Sequence, residues 1–568
     1  MNKTLAILAL GFAPIAARLA LLPWMPPPAP RLHDEFSHLL MADTIAHGRA
    51  VNPTHPLWPH FDSMHILSRP VYASPYPPAQ GAALALGQMA LGHPWGGVLL
   101  SIGLMCAAIV WMLQGWVSPR WALLGGVLVV ARFGVFSYWT NSFYGGAVSA
   151  AAGALVLGGT GRMIRRRRWY DAAVFGLGAA VLANGRPYEG LVFTAACAML
   201  LVFKLRGKLW RPEVVVPLAA VMAAAAIGMC AWFAQFTGNP LVMPYQFFRA
   251  NFTEVPHFLF QPLRPELNYS HGVMYDYYHY WEILNYRAAR ENRPPRGVMD
   301  KVTVYARFYA GPALGLALAA AIFGWRRSRV RWLLAIGSLL TAALAVEVWH
   351  GPHYAAPGMG AMVLLAVEGL RQLRQARWGR TAVTVLCLTS LAIPVMHGGF
   401  PVGDGRERDN LSRAMTADGG KHLLVVRYGL RHDCGDEWVY NGADPDASSV
   451  VWARELDPAR NRKMLEYFAD RKAWLVEPDQ RPVRVSEYNL QSADLAWAKM
   501  VREKLLELAA GQPLRCGDWN RFYFRVAGIR PPEPDFACYG SGGAGGGVGF
   551  EHWRRWLQRD LRNGYLTP

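Results

Sequence analysis

Apolar runs long enough to cross a bilayer recur over the first 400 or so residues of this 568-residue chain. In hydrocarbon every backbone N–H and C=O must be bonded within the protein, so only helices or a closed barrel can span it. Runs of about 20 residues without strict alternation dictate helices. Eleven spans are expected, near 4–24, 95–114, 121–138, 145–161, 172–185, 188–203, 214–236, 304–324, 332–349, 355–370 and 381–396. Basic clusters fall on alternate connections: Arg162 with Arg165 to Arg168, then Lys204 to Arg211, Arg326 to Arg331, and Arg371 to Arg380. Short loops rich in Lys and Arg stay cytoplasmic. The N-terminus is therefore expected inside, and every second connection outside. The pair 172–185 and 188–203, split by "NGRPYEG", reads either as two short spans or as a re-entrant hairpin. Residues 1–24 read either as an anchor or as a signal peptide with "APIAA" at its cleavage site. These alternatives leave the topology unchanged.

The same arithmetic explains the net charge of +19. A basic excess placed on one set of loops is a topology signal with some attraction for anionic membrane lipid. It is not the footprint of a nucleic-acid binder. Only 17% of residues are charged and 53% are hydrophobic. The expected architecture is mainly α: a polytopic transmembrane helical bundle of about 11 spans over 1–396, with a small C-terminal α/β extracytoplasmic domain over 397–568. Two long external loops, 25–94 and 237–303, interrupt the bundle. A helix is expected around 35–47, and a further stretch at 80–92 is too short to span and suits the interface.

The C-terminal region changes character. "KHLLVVRYG" and "KAWLVEPD" read as buried strands, with a helix between them, "DPARNRKMLEYFADR", capped by Asp457. The glycine-rich "GSGGAGGGVGF" lacks the Lys-Ser/Thr ending of a phosphate loop and reads as a linker. Cys106, Cys197, Cys230 and Cys387 lie in apolar spans as small packing residues. Cys516 and Cys538 are candidates for a disulfide. No Cys-x-x-Cys pair or His-Glu-x-x-His spacing marks a zinc site.

Candidate chemistry centres on "RLHDEFSHLL". Asp34 and Glu35 follow the first span by ten residues, close to the outer face, where an ionisable pair is a functional hypothesis by default. Partial shielding from water raises a carboxyl's pKa and improves it as a general base. The competing reading is that the pair only begins a helix, where acids suit the N-terminal dipole. His33, Asp34 and His38 could share a divalent metal, although interfacial hydrogen bonding is the simpler role for these histidines. Candidate cations are Arg69, Arg186 with Glu189 one turn away, Arg132 within a span, and His350 with His353. The run "MYDYYHYWEILNY", with Tyr275, Tyr277, Tyr278, Tyr280 and Trp281, reads as an interfacial aromatic belt, with a sugar-stacking platform as the alternative. Trp139 and Tyr144 carry the same ambiguity.

An acidic pair atop the first external loop, closed by Tyr76-Pro77-Pro78, resembles the GT-C membrane glycosyltransferases. The likeness is to the family 39 and ArnT-like group that uses polyprenyl-phosphate sugars. "HGPHYAAPGMGAMVLLAVEGL" is similar to the family's late segment, at His353, Tyr354 and Pro357. The resemblance covers roughly residues 1–396. Many relatives carry a second acid in the next external loop, where this chain offers Asn141, and no Lys precedes Pro77-Pro78.

The resemblance implies an enzyme that moves a monosaccharide from a polyprenyl-phosphate donor to a glycan, lipid or protein acceptor, outside the cell membrane, with inversion. It implies Asp34 and Glu35 as the catalytic pair. Arg69, Arg186, His353 and Tyr354 would bind the donor phosphate, and Tyr76, Asn141 and Trp139 the substrate. A divalent metal is compatible with it. A transporter or flippase of lipid-linked sugar is the alternative, as is a non-catalytic scaffold. The paired, interrupted half-repeats common in transporters are not seen in the sequence.

Overall fold

The computed structural model describes residues 2–267, 269–291, 296–392, 405–428, 432–456 and 458–491. The cap at Asp457, the Cys516–Cys538 pair and the glycine-rich stretch fall outside the described residues. The protein is mainly helical and multi-pass. Six helices are long and apolar enough to cross a membrane: Lys3–Ala20, Trp95–Gln114, Ala147–Arg165, Pro187–Leu205, Pro212–Thr237 and Ser328–Ala345. The expected span at 304–324 is instead two helices, Gly297–Tyr309 and Gly311–Ile322, bent by 109°. Gly311 makes the break with φ of +58°, a left-handed conformation natural only to glycine. The buried Arg132 donates to the freed carbonyls of Arg307 and Phe308. That cation is therefore a structural cap.

Four expected spans are shorter helices: Pro119–Phe133, Trp169–Ala183, Met359–Leu373 and Gly379–Ala392. At 1.5 Å per residue, 15 residues reach about 22 Å, short of a hydrocarbon core of about 30 Å. Two ends of the helical bundle are told apart by their contacts. At one end lie the basic clusters, where Lys204 Nζ donates to Ser328 and Glu368 collects Arg329 at 2.6 Å and Arg371 at 2.9 Å. At the other end lies the break at 184–186, where Ala79 N donates to Asn184 O. Trp169–Ala183 and Pro187–Leu205 therefore run from the basic end to the opposite end and back, as two helices.

That opposite end carries the long loops. The helix His33–Ala46 packs on Pro78–Leu91, and a short antiparallel pair, β1 (Asn52–Pro53) with β2 (Val71–Tyr72), pins the loop between them. Above it sits a four-stranded sheet of β3 (His422–Val426), β4 (Val450–Arg454), β5 (Lys472–Glu477) and β6 (Arg484–Glu487). Its order is β4-β3-β5-β6. β3 pairs parallel with β4 and β5, and β6 pairs antiparallel with β5. β3 and β4 are buried along their whole lengths, as parallel strands covered on both faces must be.

The sheet is tied down to the first loop. His60 Nδ1 meets Arg454 O at 2.8 Å, Ser63 donates to Val439 O at 2.9 Å, and Ala443 N donates to Asp43 at 2.7 Å. Phe36 stacks on Tyr440 at 4.2 Å.

Candidate functional site

The helix His33–Ala46 places Asp34 and Glu35 in its first turn, and their side chains part. Glu35 is 4% exposed. Its Oε2 accepts from the backbone N–H groups of Arg31 and Leu32 at 3.0 and 3.1 Å, and its Oε1 from Phe143 N at 3.1 Å. It closes the helix N-terminus, which otherwise leaves orphan donors, and it holds the loop after Phe133 against that terminus. Burial pushes its carboxyl above the ordinary value, against the pull of those three donors. Glu35 is thus a cap and an anchor, with both of its oxygens accepting from backbone N–H groups.

Asp34 is different. Its side chain is 29% exposed. The Tyr76 hydroxyl donates to Oδ1, and Oδ2 has no hydrogen-bond partner among the described residues. Burial would raise its pKa, but His33, His65, the Tyr76 hydroxyl and His353 together hold it below the usual carboxylate range. Asp34 is therefore held below the ordinary carboxylate value, not raised above it as partial shielding alone would do. With the imidazoles uncharged at neutral pH, the Tyr76 hydroxyl is the lasting part of that stabilisation. Burial in turn pushes the Tyr76 phenol up, so it stays a donor.

Around Asp34 lies a wall of rings. His33 stacks on His65 at 4.6 Å, His38 on Tyr76 at 4.8 Å, and Tyr76 on Tyr245 at 5.7 Å. His65 adopts φ of +55°, a left-handed conformation uncommon outside glycine. The Tyr277 hydroxyl lies 2.8 Å from His33 Nε2 and 3.2 Å from His65 Nε2. The Tyr278 hydroxyl accepts from His65 N at 2.9 Å.

The aromatic run is therefore not a membrane belt. Tyr275, Tyr277, Tyr278 and Tyr280 are buried; Tyr275 ends the short helix Gly272–Tyr275, and the other three lie in the π-helical turn Asp276–Trp281, which supports the histidines from below. Only Trp281 keeps an exposed face, stacked on Trp349 at 5.6 Å. The i→i+5 bonding of the π-turn moves its side chains out of the 3.6-residue register and puts Tyr277 beneath the site, a placement that spacing by 3.6 could not reveal.

The cationic side is built at the 184–186 break. The Arg186 guanidinium lies over Tyr354 at 4.4 Å and 3.7 Å from Glu189. The adjacent His353 bonds Tyr138 OH at 3.0 Å. The field of Arg186 reaches both His38 and His353, so Arg186, His353 and Tyr354 share one neighbourhood with Asp34.

Arg69, Trp139 and Asn141 are placed elsewhere. Arg69 is exposed and stacks over Trp58 at 4.0 Å. Trp139 is 1% exposed, packed among Phe133, Phe308 and Tyr309, and presents no face to a sugar. Asn141 accepts from Arg18 Nε at 3.0 Å and donates to the carbonyls of Val135 and Ser137. Arg18 is fully buried against Trp95 and the carbonyls of Met25 and Pro26, so Asn141 serves the loop's anchorage.

A metal would meet a donor set that differs from the one expected. His33, Asp34 and His65 each offer an atom within 4.8 Å of the others, with His65 in the place assigned to His38. Two imidazoles kept neutral by burial, beside an ionised carboxylate, suit a borderline divalent cation. His33 Nδ1 and His65 Nδ1 are buried and without hydrogen-bond partners. The residues fit such an ion.

Burial lowers the pKa of His33, His38, His65 and His353 despite the attraction of Asp34, that of His38 to about 4. The unfolded chain takes up these protons near 6.5, and the fold resists them. Their contribution to stability is complete above that value and is lost as the pH falls through the folded values. Metal-free protein in detergent should melt at progressively lower temperature from pH 6.5 down toward 4. A flat profile would mean that water reaches the rings.

No protein-family model matches the chain, and no curated protein matches it. Among solved structures the chain is similar to the oligosaccharyltransferase of Archaeoglobus fulgidus in complex with Zn and sulfate. That match has 12% identity and a TM-score of 0.45, over 83% of this chain and 67% of the other. It is also similar to ArnT from Cupriavidus metallidurans in the apo state, with 14% identity and a TM-score of 0.45, over 82% and 92% of the two chains. For the same ArnT bound to undecaprenyl phosphate the figures are 15% and 0.43, over 83% and 91%.

Proposed function

We propose that this chain is a GT-C-type membrane glycosyltransferase that takes a monosaccharide from a polyprenyl-phosphate donor at the outer membrane face. The observation that carries the reading is the state of Asp34. It is a half-buried, ionised carboxylate with one oxygen held by Tyr76 and the other free, beside a cation on a helix break. The acceptor's hydroxyl or amine approaches Asp34 Oδ2 and gives up its proton there. Its lone pair attacks the anomeric carbon as the carbon–oxygen bond to phosphate breaks on the opposite side, which inverts the centre. The polyprenyl phosphate leaves as an anion, and Arg186, with His353 and Tyr354 beside it, faces that charge.

Asp34 is a weak base, so general-base assistance falls toward the lower end of its usual range of about 10²–10⁴-fold. Positioning of the two substrates by the ring wall supplies more. A divalent cation on His33, His65 and Asp34 would add positive charge for the acceptor oxygen or the phosphate. Glu35 and the Arg18–Asn141 pair hold the frame. In this reading residues 397–568 are an extracytoplasmic domain, whose described strands β3–β6 lie over the first loop, with the N-terminus inside.

Reconstitution in proteoliposomes tests it. Polyprenyl-phosphate monosaccharides should support transfer to a glycan or lipid acceptor, and nucleotide sugars should not. Turnover of a nucleotide sugar, or movement of intact lipid-linked sugar across the bilayer without transfer, would replace this reading.

A further inference from the structure

A second polar site lies on the seam between the first external loop and the sheet. A cavity of about 160 Å³ opens there, lined by Pro30, Arg31 and Phe36 on one side and by Gly405, Glu407, Arg408, residues 436–438 and Arg481 on the other. That volume holds roughly five waters, or one small polar group with its attachment.

Three arginines and three acids line this cavity, yet their charges do not cancel within it. Arg31 is paired with Asp436 at 3.2 Å and Arg481 with Glu407 at 3.9 Å. Glu437 is spent elsewhere: it pairs with the buried Arg454 and accepts from the Tyr428 hydroxyl. Arg408 is left as the surplus cation. Its guanidinium lies 4.7 Å from the ring centres of both Phe36 and Trp452. Its Nε and Nη2 donate to the carbonyls of Trp438 and Tyr440, each at 2.8 Å. Nη1 has no hydrogen-bond partner among the described residues, and Arg408 has no carboxylate within ion-pair distance there. Burial lowers its pKa to about 10, as expected of a poorly hydrated cation without an acid partner. A planar donor fixed by two aromatic rings and two carbonyls, with one edge free, is preorganised for an oxyanion.

We propose that this cavity binds an oxyanion, a phosphate or a carboxylate, on the free edge of Arg408, with Arg31 and Arg481 at the rim. The cavity adjoins the turn that carries Asp34. Assigning the anion to the acceptor rests on the transferase reading, and the anion site itself does not. A phosphorylated lipid headgroup and an acidic sugar are the two sources of this chemistry.

Calorimetric titration of the full-length protein in detergent with inorganic phosphate and with glucuronate tests the proposal. Saturable binding of either supports it, and the ligand that binds identifies the source. Arg408→Gln should weaken that binding roughly 10- to 100-fold, the worth of a charged hydrogen bond. Because Arg408 also packs between two rings, Arg481→Gln at the exposed rim is the second variant, with a loss of a few-fold and unchanged melting. Absence of binding by both anions, or binding indifferent to both substitutions, overturns the proposal. Asp34→Asn should keep the anion affinity whatever happens to transfer, so the failure of one reading is visible apart from the other.

Discussion

Asp34→Asn is expected to cut transfer by about 10²-fold or more while the protein still folds. The substitution is close to isosteric. An amide oxygen can still accept the Tyr76 hydroxyl, so the contact that orients the side chain survives. What disappears is the negative charge and the lone pair on the free oxygen, which the amide nitrogen cannot supply. The loss should appear in kcat, because a base acts on the acceptor's proton as the new bond forms and contributes little to holding the ground state.

Tyr76→Phe separates the two parts of this argument. It removes the donor that helps hold the Asp34 carboxyl low, so Asp34 becomes a stronger base in a looser position. An activity loss smaller than that of Asp34→Asn, with an acid limb moved to higher pH, is the expected result. Donor turnover retained by Asp34→Asn would remove Asp34 from the chemistry and with it the mechanism.

The legible parts of this molecule were those set by one-dimensional physics. Apolar run length located helices near the expected spans, because a span must satisfy its own backbone; among the described residues six of them are long and apolar enough to cross a membrane. The sequence "HLLVV" declared a strand by its β-branched, apolar run, and β3 is that segment. The break at Gly311 escaped notice because the apolar run continues through it while a single positive φ bends the chain.

The site was half legible. Asp34 and Tyr76 stood out by position and meet in space. Arg186, His353 and Tyr354 also converge. His65, 31 residues beyond Asp34, was one of seven histidines in its loop. Only the fold of β1 against β2, with the π-turn beneath, selects it over His38 as the partner of His33. Trp139 looked like a sugar platform because an aromatic side chain in an external loop carries no mark of the direction it faces. The opposite roles of Asp34 and Glu35 could not be read from adjacency, since neighbouring residues in a helix point about 100° apart and what each meets is decided by the loop after Phe133.

Glu35→Gln should be the more damaging change to the fold, despite keeping size and shape. Both oxygens of Glu35 accept hydrogen bonds, Oε2 from two N–H groups and Oε1 from a third. A glutamine offers one oxygen. Its amide nitrogen must then face either the Arg31 and Leu32 N–H pair or the Phe143 N–H, donor against donor, in a place that water does not reach. The orphaned backbone donors cost about 1–3 kcal/mol in all, more where the lost bond was charge-assisted. The expected result is a melting midpoint lowered by several degrees, greater susceptibility of the first loop to proteolysis, and a specific activity that falls with the folded fraction. Asp34→Asn should leave the midpoint near that of the parent. The contrast between the two variants is the measurement: Glu35→Gln with parental stability and lost turnover would move Glu35 from the frame into the chemistry, and the division of labour argued for the acidic pair would be wrong.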